Sequence, residues 1–358
     1  MNKISKPRQS NFELLRLVCM FLIVLLHLVA SSPMHGMNAS GIFISSFLFI
    51  AVNCFILISG FFGIRATFKG FFKLYLTCVF YSLAILIIFS VCNNEYDIKS
   101  IIYSFFPFSR SGMWFVTSYI ILFLLSPMLN KVVDNCTKRE FVILLGAWGI
   151  VTFYFGYFWN EGINVSGYNA VNFIFLYLIG RFIALYIAGN KSRAFYMGMY
   201  ILFSLITAGI GLAIYHFMAL GIHFDTGIRW VRQFALSYNN PFIIVAAISF
   251  FLFFRKFRFS SKTVNWAASS CLPIYLIHEN SHISQYIHQL TGRLAPVIES
   301  EWLYVIFLFF LAAFIVITCI LIDKVRMLIT DPIERLIAKM NLDIYFSKFI
   351  DKLTAYIK

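Results

Sequence analysis

Residues 11–29 read NFELLRLVCMFLIVLLHLV, an apolar run broken only near its start, by Asn11, Glu13 and Arg16, and near its end, by His27. A run of this length matches the ~20 residues that a helix needs to cross the hydrocarbon core of a bilayer. Working outward, the pattern recurs at about 41–63, 72–92, 114–130, 141–159, 171–189, 195–216, 239–254, 264–283 and 302–323. The chain is 61% hydrophobic and 12% charged, about half the charge of an ordinary soluble domain. Lipid must therefore be the solvent for most of it. The runs lack period-2 alternation, which favours helices over a barrel. The expected fold is all-α, a polytopic membrane domain of about ten spans.

Charge placement sets the expected orientation. The net charge of +14 is gathered in short clusters between apolar runs, as the bias toward cytoplasmic Lys and Arg requires and as a nucleic-acid surface does not. With the N-terminus inside, 22 of the 29 basic residues fall in cytoplasmic segments. Outside loops hold five, Lys99, Arg110, Arg229, Arg232 and Arg293, while Arg16 and Arg181 sit near the inner ends of spans. Ten spans then put both termini in the cytoplasm. The first apolar run has no small-residue cleavage site after it and reads as a retained helix. Cys19, Cys54, Cys78, Cys92, Cys136, Cys271 and Cys319 are scattered without a CxxC and read as small membrane hydrophobes.

The domain is expected to fill 1–330. A cytoplasmic tail helix at 331–358 would start with Asp331 as cap, Pro332 in the first helical position and Glu334 completing a capping box. In this tail Ile333, Leu336, Ile337, Met340, Ile344, Phe349, Ile350 and Leu353 recur at helical spacing among lysines, the pattern of an amphipathic helix on the inner membrane surface.

Polar groups inside apolar runs are costly in lipid and so are candidates for function. Arg16 and His27 are eleven positions apart, which returns a helix to within about 20° of the same face and separates them by about 16 Å. Spacing alone leaves two readings open, a functional face or an inner-surface anchor with an interfacial histidine. Residues 271–282, CLPIYLIHENSH, contain a literal HExxH from His278 to His282 with Glu279 inside it, a zinc-hydrolase pattern needing a third ligand such as Glu299 or Glu301. The motif lies at the outer end of a span, where hydrophilic residues belong anyway. Asn53 and Ser59 in VNCFILISGFF, residues 52–62, are either packing groups beside Gly60 or part of a site. Arg110, Trp114 and Tyr119 at the mouth of the fourth span, and Arg229 and Arg232 in the next large outer loop, fit an interfacial belt or an acceptor platform. Arg65, Lys69 and Lys73 fit ordinary inside cations or a phosphate grip.

Arg16, ten residues and His27 resemble the R-x10-H motif of the membrane acyltransferase-3 family. The likeness continues in order through FILISGFF (55–62), MWFVTSYIILFLLSP (113–127) and SCLPIYLIHE (270–279). It implies an O-acyltransferase of the bacterial plasma membrane that moves an acyl group, acetyl by expectation, from acyl-CoA to an envelope polysaccharide or its lipid-linked precursor. It further implies His27 as the base, Arg16 as a donor-holding group and His278 as a helper. Arg65, Lys69 and Lys73 would grip the donor's phosphates. Asn53, Ser59, Arg110, Trp114, Tyr119, Arg229, Arg232 and Glu279 would contact the carbohydrate acceptor, with no metal. Two features depart from the family pattern. Asn53 stands where an acidic residue is common, and an amide cannot stabilise a protonated imidazole. Lys69 and Lys73 replace an arginine pair and lose its planar fork. A glycan flippase is the alternative from another class, although the internal repeats common in carriers are not evident; an intramembrane zinc protease is the third.

Overall fold

A computed structural model describes residues 8–32, 38–110, 113–160, 162–218, 220–221, 223–298, 300–340 and 342–354, and no strand occurs among them. The helices are α1 (Ser10–Ala30), α2 (Ala39–Leu48), α3 (Ile50–Phe62), α4 (Phe68–Asn93), α5 (Ile98–Ser104), α6 (Pro107–Arg110), α7 (Trp114–Asn135), α8 (Lys138–Gly149) and α9 (Ala170–Tyr186). They continue with α10 (Arg193–Met218), α11 (Phe224–Trp230), α12 (Pro241–Arg255), α13 (Lys262–Ala268), α14 (Cys271–His278), α15 (Ser281–Leu294), α16 (Glu301–Lys339) and α17 (Leu342–Thr354). Many starts follow from local chemistry: Thr67, Asn169 and Ser261 each accept a backbone N–H of the first turn. Thr137 and Glu140 form a reciprocal capping box, and Asn240 caps α12 with Pro241 just inside it, which satisfies donors that a helix start leaves over.

Seven helical stretches among the described residues are long and apolar enough to cross a membrane: 10–30, 39–62, 68–93, 114–135, 138–158, 193–218 and 301–339. Two more, α9 and α12, are apolar but shorter. The chain is thus an all-helical, multi-pass membrane protein. Several expected spans are not single rods. The 41–63 span is interrupted at Phe49, between α2 and α3. The 141–159 span turns from α8 into a wider π-helical stretch at Ile150–Phe158. The 264–283 span is cut twice, between α13 and α14 and again at Glu279–Asn280, where Asn280 caps α15 by accepting from the His282 N–H.

The tail also differs from expectation. No helix begins at Asp331; α16 runs through Pro332 to Lys339, and a new helix starts at Leu342. The residues before Asp331 are already helical, so a cap there has no free turn to serve. Glu334 pairs with Lys73 instead.

At the centre stands α3, with α1, α9 and α12 packed on it. About 78% of the core of the α2–α3 span is buried, against 22% for α10. The exposed side of α16, with Phe310, Phe314, Ile317 and Leu321, is left for lipid. The α3–α9 contact depends on two glycines. A Cβ on Gly60 would strike the backbone of Tyr177, and one on Gly180 would meet the backbone around Leu57 and Gly60. Small residues let membrane helices approach this closely, and a backbone cannot step aside as a flexible side chain can. Gly60→Ala should therefore cost about 1–3 kcal/mol, read as a lowered thermal midpoint in detergent. Gly198→Ala, where a Cβ meets nothing within 4 Å, should show no loss. Equal midpoints for the two variants would refute the close-packed α3–α9 seam.

Candidate active site

Helices α1, α3, α4, α7, α14 and α16 enclose a cavity of about 600 Å³. Its two ends differ in chemistry. Arg8, Arg16, Arg65, Lys73 and Arg326 line one end, where α1 and α4 begin. His27 lines the other with Trp114, Tyr238 and Tyr275. Arg16 and His27 thus share one face of α1, as their spacing requires. Arg16 and Arg326 are held by carboxylates that sequence inspection did not single out. Arg16 donates to Glu13 at 2.9 Å. Arg326 is 2% exposed and Asp323 is fully buried; Arg326 donates to Asp323 at 2.7 Å and to Thr330 at 2.7 Å, while Tyr81 of α4 donates to the same Asp323 oxygen at 2.9 Å.

At the histidine end, α14 stops at His278 because the chain turns at Asn280 to begin α15. That turn brings Glu279 against α1. His27 Nδ1 lies 2.8 Å from Glu279 Oε1 and 3.0 Å from His278 Nε2. On the far side of its ring, His278 Nδ1 is 2.6 Å from the carbonyl oxygen of Ile274. These contacts fix the protons. A carbonyl only accepts, so His278 carries its hydrogen on Nδ1 and offers a lone pair at Nε2. His27 Nδ1 faces that lone pair and a carboxylate, so it must be the donor. In the neutral ring this leaves Nε2 of His27 as the proton acceptor.

Ligand-type atoms of His27, His278 and Glu279 lie within 4.8 Å of one another, which raises the question of a metal. The nitrogen–nitrogen separation of 3.0 Å and the nitrogen–oxygen separation of 2.8 Å are hydrogen-bond lengths. Both are shorter than the ~3.3 Å edge that tetrahedral zinc with bonds of ~2.0–2.1 Å sets between ligands. The expected HExxH partner is not in the group. The break at Glu279–Asn280 puts His282 on a separate helix, stacked on Phe89 at 4.9 Å, so the spacing no longer means one helical face. Glu299 lies outside the described residues.

The other candidates divide. Ser59, Arg65, Lys73, Trp114 and Tyr119 line the cavity with Arg16 and His27. Trp114 stacks on Tyr238 at 5.5 Å and touches Tyr168 at 4.7 Å, an aromatic wall beside His27. Asn53 is buried outside the lining and donates to the Tyr238 carbonyl at 2.9 Å, so it steadies that wall without bonding to His27. Lys69 is not in the lining; its backbone N–H donates to Asp343 at 3.0 Å. Arg229 on α11, and Arg232 on the short π-helical stretch Val231–Ala235 after it, do not line the cavity. The side chain of Arg110 lies outside the described ones.

The family model described as an acyltransferase domain, that of acyltransferase-3, matches residues 9–324. The chain belongs to the acyltransferase-3 family. No curated protein and no solved structure matches it. Membership makes the protein a membrane acyltransferase, and the paired histidines fall within the matched region. Sequence reading of this acyltransferase-3 chain missed Glu13, Asp323, Arg326 and Tyr238. Glu13–Arg16 and Asp323–Arg326 are both i,i+3 pairs at the ends of apolar runs, a signal that was there to be used.

The proton assignment is checkable. In protein labelled with ¹⁵N-histidine and reconstituted in lipid, both His27 and His278 should appear as the Nδ1–H tautomer when neutral. A neutral His27 protonated at Nε2 would contradict the hydrogen-bond chain.

Proposed function

We propose that this acyltransferase moves an acetyl group from acetyl-CoA to a hydroxyl of an envelope polysaccharide or its lipid-linked precursor, in a bacterial plasma membrane. The observation that carries the reading is His27, held by Glu279 and His278 at one end of a cavity whose other end is lined by cations. In this reading ten crossings, with both termini cytoplasmic, are made by counting α9, α12 and the broken α13–α14 pair alongside the seven long stretches. The basic end then opens on the cytoplasm, where CoA is made. Arg16, Arg65 and Lys73 suit its phosphates, with Arg326 behind them. The volume lies in the ~300–1,000 Å³ range of small-molecule sites.

The chemistry follows from the proton positions. Nε2 of His27 takes the proton of the acceptor hydroxyl as its oxygen attacks the thioester carbonyl. The new imidazolium is stabilised by Glu279 on Nδ1, the carboxylate that Asn53 does not supply. His278 restricts the ring's orientation. Collapse of the tetrahedral adduct breaks the C–S bond, and His27 returns the proton to the departing thiolate. The products are an ester and free CoA, with the base regenerated. The aromatic wall of Trp114, Tyr168 and Tyr238 suits the apolar faces of a sugar.

The test is transfer of radiolabelled acetyl from acetyl-CoA to a panel of glycans by purified protein in nanodiscs. His27→Ala should lower the rate at least ~10²-fold while insertion is unchanged. Glu279→Gln should lower kcat and leave KM for acetyl-CoA near the wild-type value, because it acts on the imidazole and not on the donor. Full activity in His27→Ala would end the mechanism.

A further inference from the structure

The first turn of α4 is held by the protein's own C-terminal tail. Its cap, Thr67, accepts from the Gly70 N–H at 3.0 Å. The Lys69 N–H instead goes to Asp343 of α17 at 3.0 Å. One turn on, the ammonium of Lys73 meets Glu334 of α16 at 2.7 Å, with the carboxylate side chain only 11% exposed. The second oxygen of that carboxylate is buried with no hydrogen-bond partner among the described residues. Helix α17 packs on α4 and α7, while its Ile344, Tyr345 and Phe349 remain exposed. Its grip therefore relies on few contacts.

Two carboxylates thus sit where anions in general are favoured. A helix start presents free N–H groups and a partial positive charge, and Lys73 adds a full one. Lys73 also lines the cavity, beside Arg65. Phosphate is the group such a turn commonly receives, and the tail's carboxylates match it in charge and in accepting geometry.

We propose that the C-terminal tail is a competing clasp on the cavity mouth: Glu334 occupies the Lys73 cation that the donor's phosphates would otherwise take, while Asp343 on the nearby Lys69 N–H ties the same tail to α4, so donor binding displaces the tail. This rests on the reading of the mouth as the entry for acyl-CoA. Displacement needs no covalent step. It makes donor affinity depend on whatever else holds or releases α17, including ionic strength and the bilayer surface facing its exposed apolar residues.

The experiment compares acetyl-CoA with acetyl-pantetheine, which carries the same thioester and no phosphate, in wild type, Glu334→Gln, Asp343→Asn and the double variant. The double variant should lower KM for acetyl-CoA roughly three- to tenfold, with kcat unchanged and KM for acetyl-pantetheine unchanged. In parallel, a spin label at position 345 should gain mobility when CoA is added to otherwise wild-type protein. An unchanged or raised KM for acetyl-CoA overturns the clasp, as does an equal fall for both donors or a label that ignores CoA. If wild type transfers acetyl and the variants do not differ from it, the clasp fails alone. If wild type neither binds CoA nor transfers acetyl, the donor reading fails and the clasp falls with it.

Discussion

The contact between His27 on α1 and the Glu279–His278 pair at the end of α14 joins segments 251 residues apart in sequence. It depends on a chain of one-way hydrogen bonds. The Ile274 carbonyl can only accept, which settles His278; the lone pair of His278 and the charge of Glu279 then settle His27. Moving α14 by one turn would break the chain where it crosses from His278 to His27, since the Ile274–His278 bond lies within α14 and would move with it. Glu279, the residue just before Asn280 caps the next helix, would leave His27 as well. The break between α14 and α15 is therefore part of the site, and the Asn280 cap is what holds it open.

The same economy governs the basic end. A lone guanidinium within an apolar bundle is expensive. Arg16 and Arg326 each sit three residues from a carboxylate on their own helix. Such pairing restores some of the lost hydration without guaranteeing net stability. It fixes the direction of each cation, and for Arg326 it also ties α16 to α4 through Tyr81.

Much of this was legible in the residues, and the misses share a cause. Apolar run length located the membrane segments, because lipid demands it residue by residue. The Arg16–His27 face was legible because α1 is one unbroken helix. Glu279 was read as an acceptor contact within HExxH, and it became the partner of His27 only because the helix stops beside it. Asn53 stood at the position of interest but turned to the Tyr238 carbonyl. The tail helix was placed at a good cap sequence, Asp331–Glu334, yet that signal has no force inside a helix already formed. Lys69 looked like Lys73 in sequence, but only Lys73 faces the cavity. Periodicity reports faces within one element. It says nothing of where an element breaks or which neighbour comes to meet it.

On the side of His27 away from the large cavity lies a cleft of only about 10 Å³, lined by His278, Glu279, Ser284 and His288. That is scarcely the room for one water molecule. A water there would meet the side of the imidazole that already bears its proton, together with a carboxylate that is already bonded. His27 could not act on it as a base from that side. The ring therefore has one basic approach, from the main cavity, and any hydroxyl that is to lose its proton to His27 must first have entered there.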